Sequence, residues 1–233
     1  RCSRITARRS SCVQVIVPAR GFAPLWDNFA MSVNRSGLYV GLMVLAAAVA
    51  GYMVSRQLAQ GAPALVSGTA LPPRPVASFM LTDHLGAGFG NDRLKGGPSL
   101  VFFGFTHCPD VCPTTLLALK RAYEKLPPKA QERVQVIFVS VDPERDPPEV
   151  ADRYAKAFHP SFLGLSGSPE AVREAAQTFG VFYQKSQYRG PGEYLVDHTA
   201  TTFVVKEGRL VLLYSPDKAE ATDRVVADLQ ALL

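Results

Sequence analysis

Two short runs, SLVFFGF (residues 99–105) and VQVIFVSV (residues 134–141), are almost wholly apolar. A strand with one wet face alternates apolar and polar residues, so runs that do not alternate must be covered on both faces. Between them, residues 113–126 read as a helix: Pro113 suits the first helical position and Pro127-Pro128 stops the run. Strand, helix and second buried strand make a βαβ unit, which prefers a right-handed crossover and parallel strands.

The flanking segments extend this unit into a layered α/β fold. VASFMLT (76–82) has strand composition, and DHLGAGFGNDRLKGG (83–97) reads as a Gly-rich hairpin or loop. Helices are expected over 147–158 and over 169–179, the latter with Ser168 as N-cap. TTFVVK (201–206) and RLVLLY (209–214) flank Glu207-Gly208, a tight hairpin turn, and residues 217–232 form a last amphipathic helix. No internal repeat is present. The order fits a central mixed sheet with helices on both sides, as in the thioredoxin-like fold, and a fold alone does not give a function.

The excess of basic over acidic residues is not carried by this domain. Arg1, Arg4, Arg8, Arg9, Arg20 and Arg35, against Asp27 alone, lie before residue 37, which leaves 19 basic and 19 acidic residues beyond it. A nucleic-acid binder would place its excess charge on the folded domain, so no nucleic-acid partner is expected. Residues 37–54, GLYVGLMVLAAAVAGYMV, hold no charge and are flanked by Arg35 and Arg56. That length just suffices to span a hydrocarbon core of about 30 Å. The greater positive charge before the run places the N-terminus inside and the C-terminal part outside the cytoplasm. A cleaved signal peptide ending at Ala48-Val49-Ala50 is the competing reading, and either one exports the domain. The expected organisation is a basic leader over 1–36, a transmembrane anchor over 37–54, a Pro/Gly-rich tether over 55–75, and a domain over 76–233. Within the leader, Met31 opens an ordinary basic n-region. Residues 1–30 read either as sequence that is not translated or as an Arg-rich transit peptide.

Only Cys108 and Cys112 of the four cysteines lie in the domain, with Pro109-Asp110-Val111 between them. Both fall between the end of a buried strand and the start of a helix, where helix N–H groups and the helix dipole favour a thiolate. A thiolate serves both disulfide exchange and metal binding. The spacing is one residue longer than the C-x-x-C of thioredoxins, and it can close a disulfide or open around one soft ion. A structural staple is the weaker reading, since so short a loop constrains little of the unfolded chain. Two thiolates select soft metals, foremost Cu(I) and Zn(II), and a structural zinc site wants four ligands. The domain offers no second cysteine pair. Of its histidines, His107 adjoins Cys108 and is poorly placed to share an ion with it, while His84 and His159 read as polar surface residues. His198 stands apart by its context, just before the first hairpin strand.

Taken together, GFTHCPDVCPTT (104–115), VSVDPERDPP (139–148) and YLVDHTATTFVV (194–205) resemble the Sco family, also called SenC/PrrC. The resemblance covers residues 76–233. It implies a thioredoxin-like fold with an extra N-terminal hairpin, near residues 83–90, behind a membrane anchor. It also implies that Cys108, Cys112 and His198 are ligands of copper, as Cu(I) and Cu(II), and that the two cysteines are redox-active thiols able to form a disulfide. The implied function is a copper metallochaperone of cytochrome c oxidase assembly that serves the binuclear copper A centre of subunit II, with another copper chaperone as donor. The alternatives are a thiol-disulfide oxidoreductase that reduces the cysteines of that subunit, or a redox sensor. The implied location is the bacterial inner membrane with the domain in the periplasm, or the mitochondrial inner membrane facing the intermembrane space. Asp197 is expected to point away from the ligands and either tune the site or lie in solvent. Asp110 adds negative potential between the cysteines, and Asp142 reads as a turn former.

Overall fold

The computed structural model describes residues 35–59, 67–190 and 192–233. Residues 1–34 of the expected leader, with Cys2 and Cys12, lie outside them. The chain divides into two compact units, Arg1–Gln60 and Gly61–Leu233. In the first, helix α1 (Arg35–Ala59) takes in the uncharged run of 37–54. Side chains of α1 are described only at residues 37 and 39–55. Among the described residues no helix is long and apolar enough to cross a membrane, so the expected anchor has a helix but is not established as a span.

The second unit is built on a six-stranded sheet. Its strands are β1 (Thr69–Pro75), β4 (Ser99–Gly104), β5 (Gln135–Ser140), β6 (Leu163–Leu165), β9 (Thr202–Lys206) and β10 (Arg209–Tyr214), in the order β1-β10-β9-β4-β5-β6. Every residue of β4 is buried, and β5 is buried from Val136 on, as the unbroken apolar runs require. The two strands pair in parallel, Ser99 opposite Gln135 through to Gly104 opposite Ser140. Their neighbour on the other side, β9, is antiparallel, so the sheet is mixed. Helices α2 (Val111–Lys125), α3 (Pro128–Gln131), α4 (Pro148–Phe158), α5 (Pro169–Phe179), α6 (Pro216–Glu220) and α7 (Thr222–Leu232) complete the unit. The Ser168 hydroxyl caps α5 by accepting from the Ala171 N–H.

Two small hairpins stand outside the main sheet: β2 (Met80–Thr82) with β3 (Gly88–Gly90), and β7 (Tyr183–Gly190) with β8 (Glu193–His198). The first is the extra N-terminal hairpin, and only the last three residues of 76–82 form its strand. The β9–β10 turn puts both Glu207 and Gly208 at positive φ, 52° and 71°, as a two-residue turn between twisted strands demands.

Several expectations need correction. The tether over 55–75 does not hold at its ends: Ser55–Ala59 lie in α1 and Thr69–Pro75 form β1. Proline lacks the N–H that a central strand needs, but β1 is an edge strand whose register shifts between Ala70 and Arg74, around Pro72 and Pro73. The start of the unit is tied down where the Ser67 and Gly68 N–H groups donate to buried Asp228 at 3.1 and 3.0 Å. Helix α2 begins at Val111, not Pro113, so Cys112 is already helical. Proline fits anywhere in a first turn, where N–H groups have no intrahelical acceptor. The last helix is two, broken at Ala221.

Candidate metal centre

The cysteines are positioned from the end of β4. Gly104 closes that strand, and a Cβ there would lie 2.8 Å from the Cys112 sulfur and 3.1 Å from both the Phe102 and Phe138 rings. Glycine at this place is a matter of space, since the sulfur occupies the volume that any side chain would need. The chain then turns through Phe105–Cys108, closed by the Cys108 N–H donating to the Phe105 carbonyl at 3.3 Å, and enters α2. Cys112, in the first turn of α2, is fully buried, whereas Cys108 is half-buried; both thiols are free.

His198 is the last residue of β8. Its ring stands edge-on to Phe102 and Phe105, with centroids 6.1 and 5.8 Å away. Nδ1 lies 3.2 Å from the Thr199 carbonyl oxygen. A carbonyl can only accept, so a hydrogen bond here takes the Nδ1 proton and leaves Nε2 as the nitrogen facing the sulfurs, the one that would ligate a metal. Nε2 is 3.4 Å from the Cys112 sulfur. The ligand atoms of Cys108, Cys112 and His198 all lie within 4.8 Å of one another, which makes them the one such group among the described residues. Cys108 and His198 border an open cleft of about 330 Å³ that is also lined by Phe105, Pro109 and Asp197, and Cys112 lies buried beside it.

The two thiols differ in acidity. The Cys108 sulfur is held down at about 5, first because the Cys112 thiol donates to it; burial opposes this, and backbone bonds from Asp110 and Cys112 and a contact with His198 assist. Cys112 is pushed up by donating that bond and by burial. The metal-free site therefore holds one thiolate and one thiol, and a metal that takes both sulfurs must release the Cys112 proton. In the reduced chain, iodoacetamide is expected to alkylate Cys108 first. Because only the thiolate reacts, the rate should fall as pH is lowered through about 5, not through the ordinary thiol range near about 8.5. Peptide mapping checks this; a Cys108 rate that titrates in the ordinary range, or Cys112 reacting first, contradicts it.

The remaining candidates fall around this group. Asp197 is exposed and accepts from the Ser186 hydroxyl at 2.9 Å, outside the ligand set. His107 is exposed and turned to Thr106 and Asp146, with Nδ1 at 3.0 and 3.7 Å from their oxygens. His84 and His159 are not simple surface residues: His84 Nδ1 sits 3.4 Å from the buried Asp152 carboxylate, and the His159 ring packs edge-on to Tyr123 at 4.8 Å.

Asp142 does form the expected turn, its carbonyl accepting from the N–H groups of Arg145 and Asp146. That is only part of its place, for its side chain is buried and bonded to Arg145 and to the Tyr194 hydroxyl. Arg145, Asp146 and Tyr194 were not legible as parts of one network. The sole sequence signal was the density of charge in DPERDPP directly after a buried strand.

Residues 68–233 match the SCO1/SenC family model. The chain is 39% identical over 135 residues to the SCO2-like protein RP587 of Rickettsia prowazekii, an alignment covering 56% of this chain and 64% of that protein. It is 38% identical over 141 residues to "Protein SCO1 homolog 1, mitochondrial" of Arabidopsis thaliana, covering 59% and 42%. It thus spans less than two thirds of the length of these relatives. Among solved structures, the apo Sco1 protein of Thermus thermophilus is 80% identical with a TM-score of 0.68, over 75% of this chain and 99% of that one. The copper-bound ScoI of Bradyrhizobium japonicum is 36% identical with a TM-score of 0.62, over 69% and 100%.

Proposed function

Because the chain belongs to the SCO1/SenC family, we propose that it is a copper metallochaperone of cytochrome c oxidase assembly. The observation that carries this reading is the convergence of Cys108, Cys112 and His198 on one small volume beside an open cleft. Two thiolates suit Cu(I), and an added imidazole suits Cu(II) as well. Three ligands approached from one side leave a position for an incoming ligand, so that copper can be passed by exchange, which a closed four-ligand site resists. Cys108 and His198, both half-buried at the cleft, are the natural first contacts for a partner's ligand, with Cys112 buried behind them. Copper bound to the Bradyrhizobium relative supports the choice of metal.

The proposed recipient is the binuclear copper A centre of cytochrome c oxidase subunit II, with another copper chaperone as the donor. The proposed setting is the outer face of a bacterial inner membrane, with the uncharged run of α1 as the anchor; the mitochondrial inner membrane is the alternative. Loss of residues 37–54 from the mature chain, read by mass spectrometry, would decide against the anchor.

A second reading is favoured by the low-lying thiolate of Cys108 next to the Cys112 thiol: a dithiol that reduces the cysteines of that same subunit. The deciding experiment complements an oxidase-assembly defect with the wild-type chain, Cys108→Ser, Cys112→Ser and His198→Ala. Copper delivery requires all three variants to fail. Rescue by His198→Ala, with both cysteine variants failing, supports the reductase.

A further inference from the structure

The β7–β8 hairpin is not hydrogen-bonded to the six-stranded sheet, yet it carries His198, while Cys108 lies in the β4–α2 loop and Cys112 in the first turn of α2. Backbone pairing with the sheet therefore does not hold imidazole and thiols in register, and side-chain contacts have to. We propose that the turn between β5 and α4, residues 142–146, supplies those contacts. In it Asp146 and Arg145 are positioning residues for the two halves of the copper group. The inference rests on the copper reading of the previous subsection.

Asp146 serves the cysteine half. It is fully buried, and its carboxylate accepts from the Thr106 N–H at 2.8 Å, from the Thr106 hydroxyl, and from the Ser140 hydroxyl at 2.7 Å. Thr106 lies two residues before Cys108, so the loop is clamped directly ahead of the thiol. Charge-assisted bonds to a buried carboxylate are among the stronger ones available.

Arg145, one residue earlier, serves the histidine half. Its Nη1 donates to the Gly192 and Tyr194 carbonyls at 3.2 and 2.9 Å, and its guanidinium lies 3.7 Å from the centre of the Tyr194 ring. Asp142 completes the latch by accepting from Arg145 Nε and, at 2.8 Å, from the Tyr194 hydroxyl. Tyr194 stands on β8 four residues before His198. A planar guanidinium can donate in several directions at once and stack on a ring, which a lysine cannot reproduce. Adjacent residues of one turn therefore grip the two segments that must meet at the metal, and ligand geometry is set by such supporting contacts.

The test uses the full-length chain, reduced and metal-free, with amide hydrogen exchange read at residues 193–198 and 104–112. Arg145→Met is expected to speed exchange at least tenfold in 193–198 and leave 104–112 within twofold. Asp146→Asn should do the reverse, and Thr106→Val repeats that arm with a milder change should Asp146→Asn fold poorly. Added Cu(II) should then bind Arg145→Met at least tenfold more weakly than wild type, with Cu(I) binding within threefold. Arg145→Lys should recover part of the Cu(II) loss.

Exchange that rises equally in both segments, or in neither, overturns the latch. So does unchanged Cu(II) binding in Arg145→Met when His198→Ala loses it, and in that case the copper reading stands. Failure of the wild-type chain to bind either ion overturns the copper reading instead, while the exchange pattern still decides whether the turn grips both segments.

Discussion

Serine in place of Cys112 is expected to leave the full-length chain without stoichiometric copper, and serine in place of Cys108 to do the same. The reduced wild-type chain should hold one copper. A serine hydroxyl is a hard, protonated oxygen at neutral pH and a poor ligand for Cu(I), which prefers thiolate. Each variant leaves one sulfur and one imidazole. A loss of at least about a thousandfold, about 4 kcal/mol, is the expected scale in competition with a chromophoric Cu(I) chelator. The fold should survive. Serine is nearly the size of cysteine, so Cys112→Ser overfills nothing beside Gly104, and burying its hydroxyl costs about 1–3 kcal/mol if unbonded. Thermal unfolding of the metal-free variants separates loss of ligand from loss of fold. Stoichiometric copper in the double variant Cys108→Ser/Cys112→Ser would sink the site assignment.

The β4–α2–β5 core was legible because its residues obey one rule over their whole length. An unbroken apolar run admits only a strand covered on both faces, and the flanking prolines mark where the helix stops. The β9–β10 hairpin was legible for a similar reason, since Glu207-Gly208 punctuates two apolar stretches. Strand β1 was hidden because TALPPRP has the composition of a linker; an edge position and a shifted register make its prolines tolerable. Strand β6 has only three residues, too few for any period. The β7–β8 hairpin was hidden by the polarity of β7, YQKSQYRG, which follows from its place outside the main sheet.

The same contrast applies to the site. Cys108 and Cys112 announce themselves as a local pair at a strand end. No property of the sequence by itself brings His198 to them, 86 residues after Cys112; that proximity is made by topology, through a hairpin folded back over the β4–α2 loop. Three motifs in order supplied it as a resemblance, and the geometry supplies it physically. The supporting residues were less legible still. Asp142, Arg145 and Asp146 look like a solvated turn in one dimension, because charges near prolines usually are one. Their burial depends on Tyr194 and Thr106, which are distant in sequence and have no distinguishing pattern.

His198→Ala is expected to divide the two oxidation states of copper. Both thiolates remain, and two sulfurs suffice for Cu(I), whose affinity should fall less than about tenfold. Cu(II) favours the imidazole, so its affinity should fall by about a hundredfold or more, about 2.7 kcal/mol. The difference between the two losses has a sign that can be measured apart from either one. Weakening the oxidised form more than the reduced form raises the reduction potential of the bound copper, by about 59 mV for each tenfold difference in a one-electron couple. The ring removed is half-buried between Phe102 and Phe105, so a stability cost of about 1–2 kcal/mol accompanies the change. Denaturant unfolding of the metal-free variant measures that cost separately. The Cu(II) spectrum of the wild type should carry the signature of a nitrogen ligand, and that of His198→Ala should not. Equal losses for Cu(I) and Cu(II), with an unmoved potential and an unchanged nitrogen signature, would remove His198 from the ligand set and leave the two cysteines as a dithiol alone.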